Sequence, residues 1–272
     1  MLLAEPDPAR SGEDGELGPH GVGRERALTT VRGNEALRYT IYWPAGDDLA
    51  PAVTSAPLVT ILAPSFATPD QLAWLAEWLA STGHAVLVPR AQFDVTSGQE
   101  TNADLSVETL HHRASDPDDL LAALVDGSPG VLIGHGSGGT VALNRWVRAP
   151  DLWHGVAPIA AVAERFQSLE SADGRPSLFV VGSDDAIVTA RAVRVSQRSA
   201  PEPSHVAIIS GMTYYDWLDE LSEGQRALEP EASNPVAVSR ARAQQLFAAW
   251  VADVLGKEAP IQWRDLEGVD VQ

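Results

Sequence analysis

The chain contains no cysteine among its 272 residues. This excludes disulfide bonds, thiolate metal sites and a cysteine nucleophile. No apolar run approaches the ~20 residues that a helix needs to cross a bilayer. The first residues lack the basic start and apolar core of a signal peptide. These absences predict a cytoplasmic protein without disulfides and without a membrane partner.

Positive charge is also scarce, with 19 Lys and Arg against 37 Asp and Glu and a formal net charge of -18. Nucleic acid is therefore not expected as a partner, because phosphate binding needs clustered lysine and arginine. No histidine or carboxylate cluster has metal-ligand spacing, and no glycine fingerprint for phosphates occurs. We expect neither a metal nor a cofactor, and we interpret the acidity as a solubility feature.

The length suits one large α/β domain. Residues 1–26 are rich in Gly, Pro and acidic side chains and are interpreted as a flexible acidic leader. Residues 27–256 are assigned to the domain. Residues 257–272 are assigned to a C-terminal tail, for which disorder is expected.

Strand patterns alternate with helix patterns inside the domain. This alternation predicts a single-domain α/β fold with a mainly parallel sheet, helices on both faces and no large lid. The predicted strands are 27–31 and 36–43, joined by a Gly33-Asn34 turn, and then 58–63, 84–89, 130–133, 154–159, 178–181 and 206–210. The predicted helices are 69–80, 116–125, one directly after residue 139, 186–196 and 236–255, with a polar loop over 90–113.

The most informative stretch reads Val-Leu-Ile-Gly-His-Gly-Ser-Gly-Gly over residues 131–139. An apolar strand pattern runs into a glycine-rich turn and then a helix, which is the pattern of a nucleophile elbow. The flanking Gly134 and Gly138 place Gly136 at the apex of the turn, where hydrolases carry their nucleophile. Gly136 has no side chain to serve in that role.

Ser137 is the alternative apex. In that frame His135 would lie where strand and helix nearly touch and where glycine is normally required. The apex conformation is strained for other residues and free of strain for glycine, so the frame with Gly136 at the apex is favoured.

Over residues 27–255 the chain resembles the α/β-hydrolase fold, in particular the branch of dienelactone hydrolases, chlorophyllase-like esterases and bacterial polyester hydrolases. Besides the elbow, three motifs carry the resemblance: Ala63-Pro64-Ser65-Phe66-Ala67, Gly182-Ser183-Asp184-Asp185-Ala186-Ile187 and Gly211-Met212-Thr213-Tyr214-Tyr215.

The resemblance implies a role for each matching position. Gly136 takes the nucleophile position, Asp185 the position of the triad acid and Tyr214 the position of the triad histidine. Asp184 is the less favoured acid. The oxyanion donors would be the backbone N–H groups of Phe66 and Ser137, with Ser65 in the same loop, and the elbow itself comprises Gly134, His135 and Gly138.

Two of the three triad members are therefore missing. A phenol, with an ordinary pKa of about 10, is a poor base near neutral pH. Among the other histidines, His84, His154 and His205 begin strands and so lie at the wrong end of a parallel sheet. His135 flanks the apex and is expected to point away from it, and His20 falls in the leader. Only His111 and His112 remain as substitute bases, although a solvated loop is their preferred interpretation.

Three functions stay open. The first is a hydrolase homologue that binds a small, mostly apolar molecule or catalyses a non-hydrolytic cyclase, lyase or isomerase reaction, with Tyr214 as acid and Asp185 as base. The second is a carboxylic ester hydrolase that uses Ser137 with His111 or His112. The third is a regulatory or structural pseudoenzyme that acts through the leader and the tail around Trp263. The degenerate triad argues against conventional serine hydrolysis.

Overall fold

The computed structural model describes residues 18–32, 35–53, 55–65, 67–90, 102–103, 105–106, 108–109, 112–113, 115–119, 121–122, 124, 128–164, 168–172, 174–228, 231–257 and 262–272. The strands are β1 Gly21–Arg32, β2 Glu35–Ala45, β3 Leu58–Leu62, β4 Ala85–Pro89, β5 Gly130–His135, β6 Trp153–Ile159, β7 Ser177–Gly182, β8 Ser204–Ile209 and β9 Val269–Val271. The α-helices are α1 Ala73–Ser81, α2 Ser137–Arg148, α3 Ala190–Gln197, α4 Glu223–Arg226 and α5 Val236–Val254.

The strands form one mixed, mostly parallel sheet in the order β1-β2-β4-β3-β5-β6-β7-β8-β9. The six strands from β4 to β8 in this order run parallel. The hairpin β1–β2 adds an antiparallel edge on one side, and β9 adds one on the other. The predicted α/β class and mainly parallel sheet are confirmed.

Alternate residues of each strand point to opposite faces of the sheet. Helices cover both faces, so each face has its own buried cluster. Val59, Ile61 and Ile133 belong to the buried cluster that includes residues of α1 and α5. Leu58 and Leu132 belong to the other cluster, together with residues of α2 and α3. β3, β4, β5 and β7 are buried at every position, as expected for strands covered on both faces.

The two ends of the chain differ from the sequence-based interpretation. β1 begins at Gly21, so residues 21–26 of the predicted leader belong to the sheet; residues 1–17 lie outside the described part. Disorder was the wrong expectation for residues 262–272. Trp263 is buried, and β9 pairs with β8.

The segment between β4 and β5 also corrects the sequence prediction. Residues 102–103, 105–106, 108–109 and 112–113 are helical, although a polar loop was predicted there. The described residues of the predicted helix 116–125 form turns instead. The cause is local competition by aspartate: Asp116 accepts from the N–H of Asp118, and Asp119 accepts from the N–H of Leu121.

No helix in the described ranges is both long and apolar enough to cross a membrane.

Candidate functional site

The elbow joins β5 to α2 through one residue. Gly136 has φ 56° and ψ −121°, a conformation that glycine adopts without the steric penalty that a Cβ brings. Its N–H donates to the carbonyl of Ile159 at 2.9 Å, and its own carbonyl accepts from the N–H of Thr140 at 3.2 Å. The positive φ lies at Gly136, whereas Ser137 is the first helical residue.

Two further glycines permit the close approach of strand and helix. A Cβ on Gly134 would lie 2.7 Å from the backbone nitrogen of Gly139. A Cβ on Gly138 would lie 2.7 Å from the carbonyl oxygen of Ala63. Both contacts are shorter than real Cβ atoms make, so any larger residue at either position would force the elbow apart.

Tyr214 fills the space above the apex. A Cβ placed on Gly136 would collide with the Tyr214 hydroxyl and lie 3.2 Å from its Cζ. Tyr214 itself is only 6% exposed. The phenol therefore takes up the room that a nucleophilic side chain at position 136 would need.

His135 packs under this phenol. The ring centroids of His135 and Tyr214 are 4.4 Å apart, so the histidine contacts the site instead of pointing away from it as the sequence suggested. Burial lowers the pKa of His135 to about 3, with a small opposing effect from the Tyr214 backbone. The ring is thus neutral, and neither ring nitrogen has a well-aligned hydrogen-bond partner in the described part of the chain.

Asp185 and Asp184 have different environments. Asp185 is buried, and its Oδ1 accepts from the N–H groups of Ile187 at 2.9 Å and Val188 at 2.7 Å. Because Asp185 binds these N–H groups, the helix that was predicted from residue 186 begins only at Ala190. Asp184 accepts from the N–H of Ser233 at 2.8 Å, and this hydrogen bonding lowers the pKa of its carboxyl.

The loop after β3 is tied to the elbow. The hydroxyl of Ser137 accepts a hydrogen bond from the N–H of Ser65 at 3.0 Å, and both residues are exposed. Phe66, the other predicted oxyanion donor, lies outside the described residues.

The remaining histidines are spread over the molecule. His84 precedes β4 and is buried, which lowers its pKa to about 4. His154 and His205 occupy the amino ends of β6 and β8, as predicted. His112 is exposed beside a groove described below, and His111 is not among the described residues.

A buried arginine that the sequence did not single out holds the segment after Tyr214. Arg240 on α5 donates to the carbonyls of Asp216 at 2.9 Å and Leu218 at 3.0 Å and pairs with the carboxylate of Asp219 at 2.6 Å. Its guanidinium also stacks over the ring of Trp74. In sequence it looks like one more polar residue of an amphipathic helix, and nothing in that pattern marks it as buried.

An open groove of about 910 Å³ lies at the edge of the sheet, between the β1–β2 hairpin and the segments that follow β3 and β4. None of its lining residues occupies a triad-equivalent position. The sequence offered no signal for it, because it depends on how the hairpin pairs with β4.

No protein-family model matches the chain, and a search of curated proteins finds no similar sequence. Over the residues that the structure describes, no three His, Asp or Glu side chains group in a way that could hold a metal ion.

Proposed function

We propose that this chain is an α/β-hydrolase-fold protein that has exchanged ester hydrolysis for the binding of a small, mostly apolar molecule. Its sheet is mainly parallel, and the three positions implied by the resemblance follow β5, β7 and β8. The carboxyl ends of these strands lie at one edge of the sheet, where α/β proteins bind their ligands.

The observation that carries the proposal is the overlap of Tyr214 with the side-chain space of Gly136. Acyl transfer by a serine mechanism needs a hydroxyl and a base within hydrogen-bond reach. Gly136 supplies no hydroxyl. The nearest imidazole, His135, is neutral and buried beneath the phenol and has no nucleophile to activate.

The geometry of Ser137 disfavours the alternative hydrolase. Its hydroxyl is engaged by the N–H of Ser65, and no hydrogen bond joins it to a histidine in the described part of the chain. It also starts the helix, so it lacks the raised backbone position that presents a nucleophile.

The apolar character of the ligand rests on two exposed side chains that follow the carboxyl ends of strands at the elbow's end of the sheet. Val162 is 37% exposed and Ile187 is 45% exposed, and they follow the carboxyl ends of the neighbouring strands β6 and β7. The carbonyl of Val162 accepts from the hydroxyl of Thr140 in the first turn of α2, so Val162 lies beside the elbow. We expect the ligand to cover these two side chains next to Ser137.

The decisive experiment compares hydrolysis of short-chain p-nitrophenyl esters by the wild type and the variant Gly136→Ser/Tyr214→His. The wild type is expected to be inert and the double variant to gain activity. Gly136→Ala/Tyr214→His is the matched control, because it makes the same steric change without a hydroxyl. Turnover by the wild type that Ser137→Ala abolishes would contradict the proposal.

Binding is tested with a neutral fluorescent naphthalene probe. Ile187→Ser and Val162→Thr are expected to weaken its binding, whereas Val238→Thr, at a residue of similar exposure on α5, is not. Equal binding by all three variants would contradict a ligand site beside the elbow.

A further inference from the structure

The groove at the sheet edge contains two classes of arginine. Arg113 is neutralised by Glu25 at 2.9 Å and by Asp119 at 2.7 Å, and Arg26 pairs with Asp70 at 2.9 Å. These pairs fix the walls of the groove. Together with Asp116, which also lines the groove, these residues carry two formal positive and four formal negative charges.

Arg38 and Arg90 form the second class. Both are exposed and line the groove, and neither makes an ion pair with any residue that the structure describes. The N–H of Arg90 donates to the carbonyl of Arg38 at 2.8 Å, which continues the pairing of β2 with β4. Their attachment points are thus held side by side by the sheet.

The same groove has an apolar part. Leu28 on the edge strand β1 lines the groove and is 58% exposed. Tyr39 is buried beneath the groove, with its hydroxyl hydrogen-bonded to the Thr29 hydroxyl at 2.9 Å. The groove therefore combines an exposed apolar side chain with two arginines that form no ion pair within the described residues.

We propose that this groove binds a small amphipathic carboxylate, with the carboxylate between Arg38 and Arg90 and the apolar body along Leu28. A volume of about 910 Å³ falls within the range of small-molecule sites. Guanidinium groups bind carboxylates through paired, charge-assisted hydrogen bonds. The four arginines of the described lining are matched by four acidic residues, so the preference for an anion rests on the adjacent positions of Arg38 and Arg90, which form no ion pair with a described residue. The site is separate from the elbow and independent of the function proposed there.

Calorimetric titration of the full chain with octanoate, octanamide and inorganic phosphate tests the proposal. We expect octanoate to bind and both others to bind at least tenfold more weakly, because octanamide lacks the charge and phosphate lacks the apolar body. Arg38→Gln and Arg90→Gln should each weaken octanoate binding about tenfold. Leu28→Asn should weaken octanoate binding without changing that of phosphate.

Arg226→Gln on α4 is the matched control, because it removes the same charge from an exposed site outside the groove. It should leave octanoate binding unchanged. Three results would overturn the proposal: no octanoate binding, equal binding of octanamide, or equal loss in Arg226→Gln and Arg38→Gln. Phosphate binding as tight as that of octanoate would overturn the amphipathic part and leave a general anion site.

Discussion

The elbow and the groove lie at the same end of the sheet but are built in opposite ways. The elbow follows β5 and is filled: Gly136 is buried, Tyr214 occupies its side-chain space, and His135 packs beneath. The groove, which borders the segments after β3 and β4, is open, with an exposed leucine and two arginines without ion pairs in the described ranges. Two regions at the same end of one sheet can therefore present different surfaces: a filled apex, beside which a ligand could only lie on the surface, and an open groove, which a ligand could enter.

The largest expected effect comes from the filled region. Gly136→Ala should lower the free energy of unfolding by about 3–5 kcal/mol, because it adds backbone strain to a collision with the Tyr214 hydroxyl. Denaturant unfolding measures this loss. Tyr214→Phe removes the colliding oxygen and should recover part of it in a double-mutant cycle.

Gly224→Ala is the control for this substitution, since a Cβ there meets nothing within 4 Å. It should leave stability unchanged or raise it by up to about 1 kcal/mol, because alanine favours the helix more than glycine does. Additive losses for Gly136→Ala and Tyr214→Phe would mean that the phenol does not fill the apex.

Arg240→Gln is expected to lower the free energy of unfolding by about 3 kcal/mol. The substitution removes the hydrogen bonds that the guanidinium donates to two backbone carbonyls and one carboxylate. The neighbouring Arg242 makes an exposed hydrogen bond to the Ser210 carbonyl, so Arg242→Gln should cost less than 1 kcal/mol. Thermal unfolding of both variants gives the comparison. Equal losses would show that Arg240 does not anchor the segment after Tyr214.

Acid should lower stability through two buried histidines, His135 in the filled region and His84 before β4. His84 and His135 have folded pKa values of about 4 and about 3, well below that of an exposed histidine. The unfolded chain therefore takes up protons first as pH falls below about 6.5, and stability should drop by roughly 1.4 kcal/mol per pH unit for each histidine until pH approaches the folded values.

Unfolding curves between pH 7.5 and 5 measure this slope. His135→Asn should reduce this slope, because it removes a histidine that is buried in the folded chain and exposed in the unfolded one. A pH slope that His135→Asn leaves intact would contradict a buried neutral imidazole.

The smallest stability effects are expected in the groove. Leu28→Asn, Arg38→Gln and Arg90→Gln should each alter the free energy of unfolding by less than about 0.5 kcal/mol, since all three side chains are exposed. Their effect should appear in ligand titrations instead. A loss of 2 kcal/mol for any of them would assign the groove a structural role.

Much of the fold was predictable because strand and helix periodicity is local. The buried strands and the closing helix appear within a few residues of the expected limits, whereas the first strand of the predicted hairpin begins six residues earlier, at Gly21. The helical residues between 102 and 113 were missed because the segment is mostly polar and has few apolar residues to define a helical period. Ala103 and Leu105 are nevertheless buried. Helix α3 was predicted to begin too early, because Asp185 competes for the first N–H groups.

The candidate site was only partly accessible to sequence reasoning. The glycine spacing predicted a turn with Gly136 at its apex, because the small residues that such a turn requires are close together in the sequence. That the Tyr214 phenol lies over Gly136, and that Arg240 holds the following segment, depends on contacts between residues 21 to 78 positions apart along the chain. Such contacts leave no mark in local periodicity.

The short strand β9 has a consequence for the solution behaviour of the protein. Its pairing with β8, extended by reciprocal hydrogen bonds between Val206 and Gln272, covers the backbone donors and acceptors on the outer edge of β8, the last parallel strand of the sheet. Open strand edges of this kind recruit other chains. The outer face now offers three residues, with Asp270 facing Arg194 at 3.7 Å. Residues 269–272 thus block the addition of a strand from another molecule to β8. Removal of residues 267–272 should therefore favour aggregation before it unfolds the protein.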